Sequence, residues 1–183
     1  MSDQLIVQHC SPTLAGIKTG NIFTCRFSSR DALMAEIRRL NRRLGTKGLR
    51  VLPLRIGASS ALIYIYRPAR LREDLACREA SEILENCGYK LASANRCVVD
   101  LVNRIKASGD FPHEIGLFLG YPAEDVRGFI DHNAQDFKCV GCWKVYGDEE
   151  KAKNLFAQYK HCTSCYLNQL RKGNTIEDLA VAV

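Results

Sequence analysis

Residues 49–67 have the sequence LRVLPLRIGASSALIYIYR. Two runs of aliphatic and aromatic residues, 49–56 and 61–67, flank the short segment GASS at 57–60. This arrangement predicts a β-hairpin. Because proline has no backbone N–H, Pro53 predicts that the first strand is an edge strand or is bulged.

The remaining sequence predicts an α+β fold. Short apolar runs at 4–8 and 21–29 predict two further strands, and hence a small N-terminal β-sheet of about four strands. An apolar stripe after Ser29 predicts a helix over 29–44. Beyond the sheet the patterns are helical, over 68–88, 95–109, 111–120, 121–132 and 148–173. We expect a single domain over 1–183, with a basic α/β part (1–70) and a helical part (71–183) that carries two cysteine pairs.

Composition and charge limit the classes of function. The 183 residues are 46% hydrophobic and 25% charged, as in ordinary globular proteins. No apolar run is long enough for a membrane helix and the N-terminus lacks a signal-peptide pattern, so a cytoplasmic protein without a membrane partner is expected. The basic part holds twelve Lys and Arg residues against three acidic ones. This predicts an acidic protein or an anionic small molecule as partner, unless the charges form only a solvated helix face.

Arginines at 38, 39, 42 and 43 occupy the polar side of the predicted helix 29–44. They are the candidate surface for an acidic protein. Nucleic acid is not expected as a partner, because the composition offers few aromatic residues for base stacking.

Nine cysteines form an odd set, so thiols or metal ligands are expected rather than a disulfide framework. The sharpest pattern is a pair of CxxC motifs, Cys139-x2-Cys142 and Cys162-x2-Cys165. Four thiolates at such spacing predict a metal site, with zinc as the default and iron or an iron–sulfur cluster as the alternative. Alternatively, Cys162 belongs to an apolar helix stripe and packs in a core.

The segment HCSPT (9–13) is a second candidate site. A helix starting at Ser11 and Pro12 would place Cys10 at its N-terminus, where the thiol pKa is lowered. Cys10 is the candidate nucleophile or anion anchor. The candidate ligand-binding residues around it are His9, Ser11, Thr13 and Lys18. Alternatively, these residues only cap the helix and pack against their neighbours.

The segment FPHEIG (111–116) begins the third candidate site. His113 and Glu114 are candidate proton-handling residues in a first helical turn. Gly116 and Gly120 lie four residues apart and could admit a flat ligand or another helix, and Tyr121 could donate a hydrogen bond. An enzyme or small-molecule-binding domain with a pocket formed by 9–13 and 111–116 is therefore the alternative to a metal protein.

Four longer segments carry a resemblance to a known family. They are HCSPTLAGIKTGNIF (9–23), IYIYRPARL (63–71), FPHEIGLFLGYPAEDVRGFI (111–130) and CWKVYGDEEKAKNLFAQYKHC (142–162). With them the chain resembles the bacterial family of unknown function 3793 over nearly its whole length. The resemblance implies no defined activity. It implies an anaerobic host and a loose link to iron handling and to flavodoxins, which are acidic and would suit the basic part.

Overall fold

The computed structural model describes residues 1–107 and 111–182. Two compact units are formed, one by Met1–Ala69 with His161–Val183 and the other by Arg70–Lys160. The first boundary lies beside the predicted division at residue 70, whereas the C-terminal segment groups with the basic part. That the whole chain is a single domain stays a prediction.

The fold is α+β, as the sequence predicts. The elements in chain order are α1 (Asp3–Leu14), β1 (Gly20–Arg26), α2 (Arg30–Gly45), β2 (Arg50–Ile56), β3 (Ser60–Tyr66), α3 (Pro68–Ala76), α4 (Arg78–Asn86), α5 (Ala94–Ala107), α6 (Ile115–Phe118), α7 (Ala123–Asp131), β4 (Cys139–Val140), β5 (Lys144–Val145), α8 (Glu149–Arg171) and α9 (Ile176–Leu179). The last two residues of the predicted helix 95–109 lie outside the described residues. None of the helices in the described ranges is long and apolar enough to span a membrane.

The sheet of the first unit is antiparallel, with β3 between β1 and β2. Gly20 of β1 and Arg50 of β2 both pair with Tyr66 of β3. The register of β2 against β3 shifts between Pro53 and Arg55. The predicted hairpin is therefore confirmed, and Pro53 lies at an irregularity in an edge strand because it cannot donate to the ladder.

Helices α1 and α2 share the core of the first unit with the sheet. The predicted apolar stripe of α2 is buried through Leu33, Ile37, Leu40 and Leu44. The same core contains Ile63 and Ile65 of β3 and, from the C-terminal segment, Ile176, Leu179 and Ala180. Burial of these side chains is the main stabilising contribution to this unit.

The predicted strand over 4–8 is wrong, because these residues belong to α1. Ser2 caps the helix by accepting a hydrogen bond from the Leu5 backbone N–H, and Asp3 lies in the first turn. Ile6, Val7 and Cys10 are buried on one helix face. The sheet of this unit therefore has three strands rather than about four.

The predicted helix over 68–88 is divided into α3 and α4, because Cys77 has an extended conformation and precedes α4. The segment 137–147, for which the sequence predicts no regular structure, contains the short hairpin of β4 and β5. Residues Asn133, Ala134 and Asp136 before it have positive φ angles of 49°, 62° and 56°. This tight path turns the chain from the end of α7 into the hairpin.

Candidate functional site

A cavity of about 390 Å³ lies in the second unit, between the segment 111–129 and the β4–β5 hairpin. Its volume is in the range of small-molecule sites. The lining residues are mostly apolar or aromatic: Phe111, Pro112, His113, Ile115, Gly116, Tyr121, Asp125, Val126, Phe129, Val140, Gly141, Cys142, Trp143 and Lys144.

Asp125 joins the two walls of this cavity. It is buried near the start of α7, and its carboxylate accepts hydrogen bonds from Trp143 Nε1 at 2.6 Å and from the backbone N–H groups of Tyr146 and Gly147 at 2.7 Å each. A buried carboxylate is stable only when such donors replace its water. Asp125 therefore holds the hairpin against α7.

The aromatic wall is built around Trp143. Its ring stacks on Tyr121, with centroids 4.7 Å apart and planes 28° apart, and meets the edge of Phe156 at 4.5 Å. The Tyr121 hydroxyl donates to the Cys142 carbonyl at 3.3 Å, and burial raises the pKa of Tyr121 to about 12. The hydroxyl is protonated at neutral pH and its hydrogen bond is made within the wall, so a role of Tyr121 as a donor to a ligand stays a prediction.

The two glycines of the FPHEIG region have separate structural uses. A Cβ on Gly116 would lie 2.7 Å from Val126 Cγ2, so Gly116 permits α6 and α7 to pack closely. Gly120 has a φ of 72°, the left-handed conformation that ends a helix. The close neighbour of Gly116 is therefore another helix, although Gly116 also lines the cavity, whereas Gly120 is not one of the described lining residues.

His113 and Glu114 have different surroundings. His113 is exposed, lines the cavity and meets Phe129 edge-on at 5.1 Å. Glu114 is buried, accepts a hydrogen bond from the Tyr89 hydroxyl at 3.0 Å and lies 3.8 Å from Arg104. Burial and Glu114 together raise the pKa of Tyr89. A joint proton-handling role of His113 and Glu114 stays a prediction. The Glu114 carboxylate already interacts with Tyr89 and Arg104.

The HCSPT segment lies in the first unit, inside α1. Cys10 does not precede a helix N-terminus, because the helix already begins at Asp3. Its side chain is fully buried, and burial raises the pKa of the thiol although Lys18 opposes this shift. The argument for a lowered thiol pKa is therefore wrong. A catalytic role for Cys10 stays a prediction that its burial disfavours.

The neighbours of Cys10 make local contacts within the same unit. Ser11 donates to the Val7 carbonyl, and Lys18 Nζ donates to the Gly20 carbonyl. Thr13 donates to the Asn21 side-chain oxygen at 2.7 Å, and the His9 ring stacks on Phe23 at 5.8 Å. These contacts fit capping and packing. The predicted joint pocket with 111–116 stays a prediction, since the two segments belong to different units.

The cysteine pairs also belong to different units. Cys139 lies in β4 and Cys142 in the hairpin turn, whereas Cys162 and Cys165 lie on α8, with Cys165 Sγ 3.4 Å from His161 Nε2. Burial, with a contribution from Cys165, raises the pKa of Cys162 to about 11. Within residues 1–107 and 111–182, no group of three or more His, Cys, Asp or Glu side chains is arranged to hold a metal ion. The tetrathiolate site stays a prediction without geometric support.

Part of the positive charge on the arginine face of α2 is neutralised by acidic residues. Arg39 pairs with Glu36 at 2.8 Å, and Arg43 pairs with Glu177 and lies 3.8 Å from Asp3. Arg38 and Arg42 are exposed. An acidic partner for this face stays a prediction.

Among the cavity residues that were not sequence candidates are Asp125, Phe129, Trp143 and Lys144. One signal could have identified two of them. Asp125 and Phe129 lie four residues apart and therefore share a helix face, which places a carboxylate on an apolar stripe. The partners of Asp125 come from the hairpin, which the sequence did not predict.

These features define an α+β protein with a small aromatic cavity in its second unit. The chain belongs to the family described as "Protein of unknown function (DUF3793)", whose model matches residues 6–180. The family membership indicated by the four sequence segments is confirmed. Comparisons with curated proteins and with solved structures give no match.

Proposed function

We propose that the second unit is a binding module for a small, mainly apolar and aromatic molecule, which occupies the cavity between α7 and the β4–β5 hairpin. The observation that carries this proposal is the cavity itself, with a volume of about 390 Å³ and walls of Tyr121, Phe129 and Trp143. Ligand sites of this size are typically concave and apolar, with a few polar groups.

The exposed apolar residues of this unit support the proposal. Phe111 and Val140 line the cavity and are 37% and 59% exposed. Phe137, 38% exposed, lies against the Lys144 side chain, which also lines the cavity. Such apolar groups exposed together are a feature of binding surfaces, since water contact with them is unfavourable.

Binding is favoured over catalysis because two polar groups of the walls, Asp125 and Tyr121, are already engaged. The Asp125 carboxylate accepts three N–H donors, and the Tyr121 hydroxyl donates to the Cys142 carbonyl. A general base or acid must instead present its reactive atom to the substrate. Walls held in this way are preorganised for a ligand, which lowers the entropic cost of binding.

The test uses the neutral fluorescent probe N-phenyl-1-naphthylamine. Because Trp143 is the only tryptophan of the chain and lines the cavity, probe binding should both quench its emission and increase the emission of the probe. Phe129→Ala should weaken binding roughly tenfold through lost apolar contact.

Ile130→Ala is the matched control, because Ile130 is the next residue on α7, is also half-buried and lines a different recess. It should bind the probe as the unmodified protein does. Absence of probe binding to the unmodified protein, or equal losses in the two variants, would contradict the proposal.

A further inference from the structure

We infer that the ligand of this cavity carries a carboxylate, which binds the Lys144 ammonium while the aromatic body of the ligand occupies the cavity. This inference rests on the proposed function and names its ligand class, an aromatic monocarboxylate. It follows from the distribution of charge among the residues that line the cavity.

The negative charge in the wall is already compensated. Asp125 is buried, and its two oxygens accept three N–H groups from the hairpin at 2.6–2.7 Å. Hydrogen bonds to a carboxylate stabilise its charge and direct its lone pairs toward the donors. Asp125 is therefore committed to the hairpin and does not select a cationic ligand.

Among the ion pairs of residues 1–107 and 111–182, none involves Lys144. Its Nζ donates to the Ala134 carbonyl at 2.7 Å and lies 4.7 Å from the ring centroid of Phe137 and 5.9 Å from that of Phe129. In the described part of the chain, the recorded ion pairs of the second unit are made by other cations, namely Arg78, Arg96, Arg104, Arg127, His132 and Lys153. An ammonium carries three N–H donors, so a ligand anion can bind Lys144 without displacing Ala134.

The placement of Lys144 fits an anion at one end of an apolar ligand. Lys144 is half-buried beside the aromatic wall, where an ion pair is weakened less by water than on an open surface. His113 is exposed and lines the same cavity, so its ring can supply a second N–H donor to the anion. One ammonium and one imidazole suit a carboxylate, whereas phosphate groups are typically held by several donors or by arginine.

The experiment compares two ligands of equal shape by isothermal titration calorimetry. The first is 2-naphthoate and the second is the neutral naphthalene-2-carboxamide. The unmodified protein should bind 2-naphthoate roughly tenfold more tightly at low salt, because the carboxylate forms an ion pair with the ammonium whereas the carboxamide oxygen only accepts a hydrogen bond from it. This preference should diminish as salt is raised.

Two lysine variants test whether the preference for 2-naphthoate over the carboxamide depends on Lys144. Lys144→Met should remove this preference by weakening 2-naphthoate binding far more than carboxamide binding, and the continued binding of the carboxamide shows that the cavity is intact. Lys138→Met is the matched control, because Lys138 lies in the same region, also donates to a backbone carbonyl (that of Gly147, at 2.6 Å) and does not line the cavity in the described residues. Lys138→Met should retain the preference.

The outcomes separate this inference from the proposed function. Equal binding of the two ligands overturns the carboxylate inference and leaves the binding module standing, whereas binding of neither ligand, together with no binding of the neutral probe, overturns the module. A preference that survives in Lys144→Met overturns the assignment to Lys144. If Lys144→Met does not fold, Lys144→Gln, which keeps an N–H donor, takes its place, and the comparison in the unmodified protein still decides the ligand class.

Discussion

Asp125 is a buried carboxylate whose hydrogen bonds attach the β4–β5 hairpin segment to α7. Its acceptor oxygens satisfy the indole N–H of Trp143 and two backbone N–H groups at Tyr146 and Gly147. If the carboxylate is removed, these donors lose their partner and the hairpin loses its attachment to α7. The position of the aromatic wall therefore depends on one residue.

We predict that Asp125→Ala lowers the free energy of unfolding by about 2–4 kcal/mol, because buried N–H donors are left unsatisfied. Urea unfolding followed by Trp143 fluorescence and by far-ultraviolet circular dichroism measures this change. Asp131→Ala, at an exposed position at the end of the same helix, is the control and should change stability by less than about 0.5 kcal/mol. Equal stability of the two variants would show that the Asp125 hydrogen bonds contribute nothing.

The cysteines differ in their exposure and hence in their expected reactivity. Cys10, Cys25 and Cys97 are buried, and burial raises the pKa of all three thiols. Since the thiolate is the nucleophile, a raised pKa and poor access both slow its reaction. By contrast, Cys142 and Cys165 are exposed.

In native protein at pH 8, iodoacetamide should alkylate Cys142 and Cys165 well before Cys10, Cys25 and Cys97. Peptide mass spectrometry at successive times measures the order, and protein unfolded in urea is the control in which all of these cysteines should react at similar rates. Rapid native alkylation of Cys10 would contradict its burial and would support its predicted role as a nucleophile.

At the scale of elements, α7 and the hairpin approach each other closely at a glycine. A Cβ on Gly128 would lie 2.5 Å from the Tyr146 Cβ, a distance that side chains in proteins essentially never show. The neighbouring atom belongs to the root of the Tyr146 side chain, so a rotamer change cannot move it away. The absence of a side chain at Gly128 therefore permits α7 to pack closely against Tyr146.

Gly128→Ala should destabilise the protein by about 1–3 kcal/mol, because the added methyl group overpacks this contact. Gly45→Ala is the matched control at a second helical glycine, where a Cβ would meet nothing within 4 Å. There alanine should stabilise by up to about 1 kcal/mol through its higher helix propensity. Thermal unfolding of both variants provides the comparison, and a neutral effect of Gly128→Ala would show that α7 can shift to accommodate the methyl group.

At the scale of the whole molecule, the first unit gathers distant parts of the chain around Arg67. This buried side chain follows β3 and donates to the carbonyls of Thr13, Leu14, Lys47 and Val181 at 2.7–3.0 Å. It thus connects the end of α1, the turn after α2 and the C-terminal segment. The planar guanidinium is suited to this because it presents several N–H donors in fixed directions.

Arg67→Met should lower the free energy of unfolding by about 2–4 kcal/mol, since several buried carbonyls lose their donors. The matched control is Arg55→Met, at an exposed position in β2, which should be nearly neutral. Urea unfolding followed by circular dichroism at 222 nm measures both variants. A loss below 1 kcal/mol for Arg67→Met would mean that water replaces the guanidinium at little cost.

Local patterns were sufficient for much of the fold. The hairpin of β2 and β3, the irregularity near Pro53 and the buried stripe of α2 all depend on neighbouring residues, so they could be predicted. The strand over 4–8 was predicted wrongly because five apolar-rich residues fit a strand or a helix equally well. The Ser2 cap and the burial of Cys10 against the core decide between them.

The candidate site was predicted only in part. His113, Gly116, Tyr121 and Cys142 were singled out and do line one cavity, although the sequence assigned Cys142 to a different site. Asp125, Trp143 and Lys144 were missed because their roles arise from contacts between α7 and a hairpin that contributes only two residues to each strand. Strands of two residues are too short to show an alternation of apolar and polar residues in the sequence.

Local patterns in the chain were enough to predict the α+β class, the family and the elements whose signals are periodic or lie in turns, because those depend on local geometry. Which residues share a cavity, which carboxylate is buried and where each thiol lies could be read only from the folded protein. Burial and hydrogen-bond satisfaction are properties of residues far apart in the chain, and they are set when the whole unit packs.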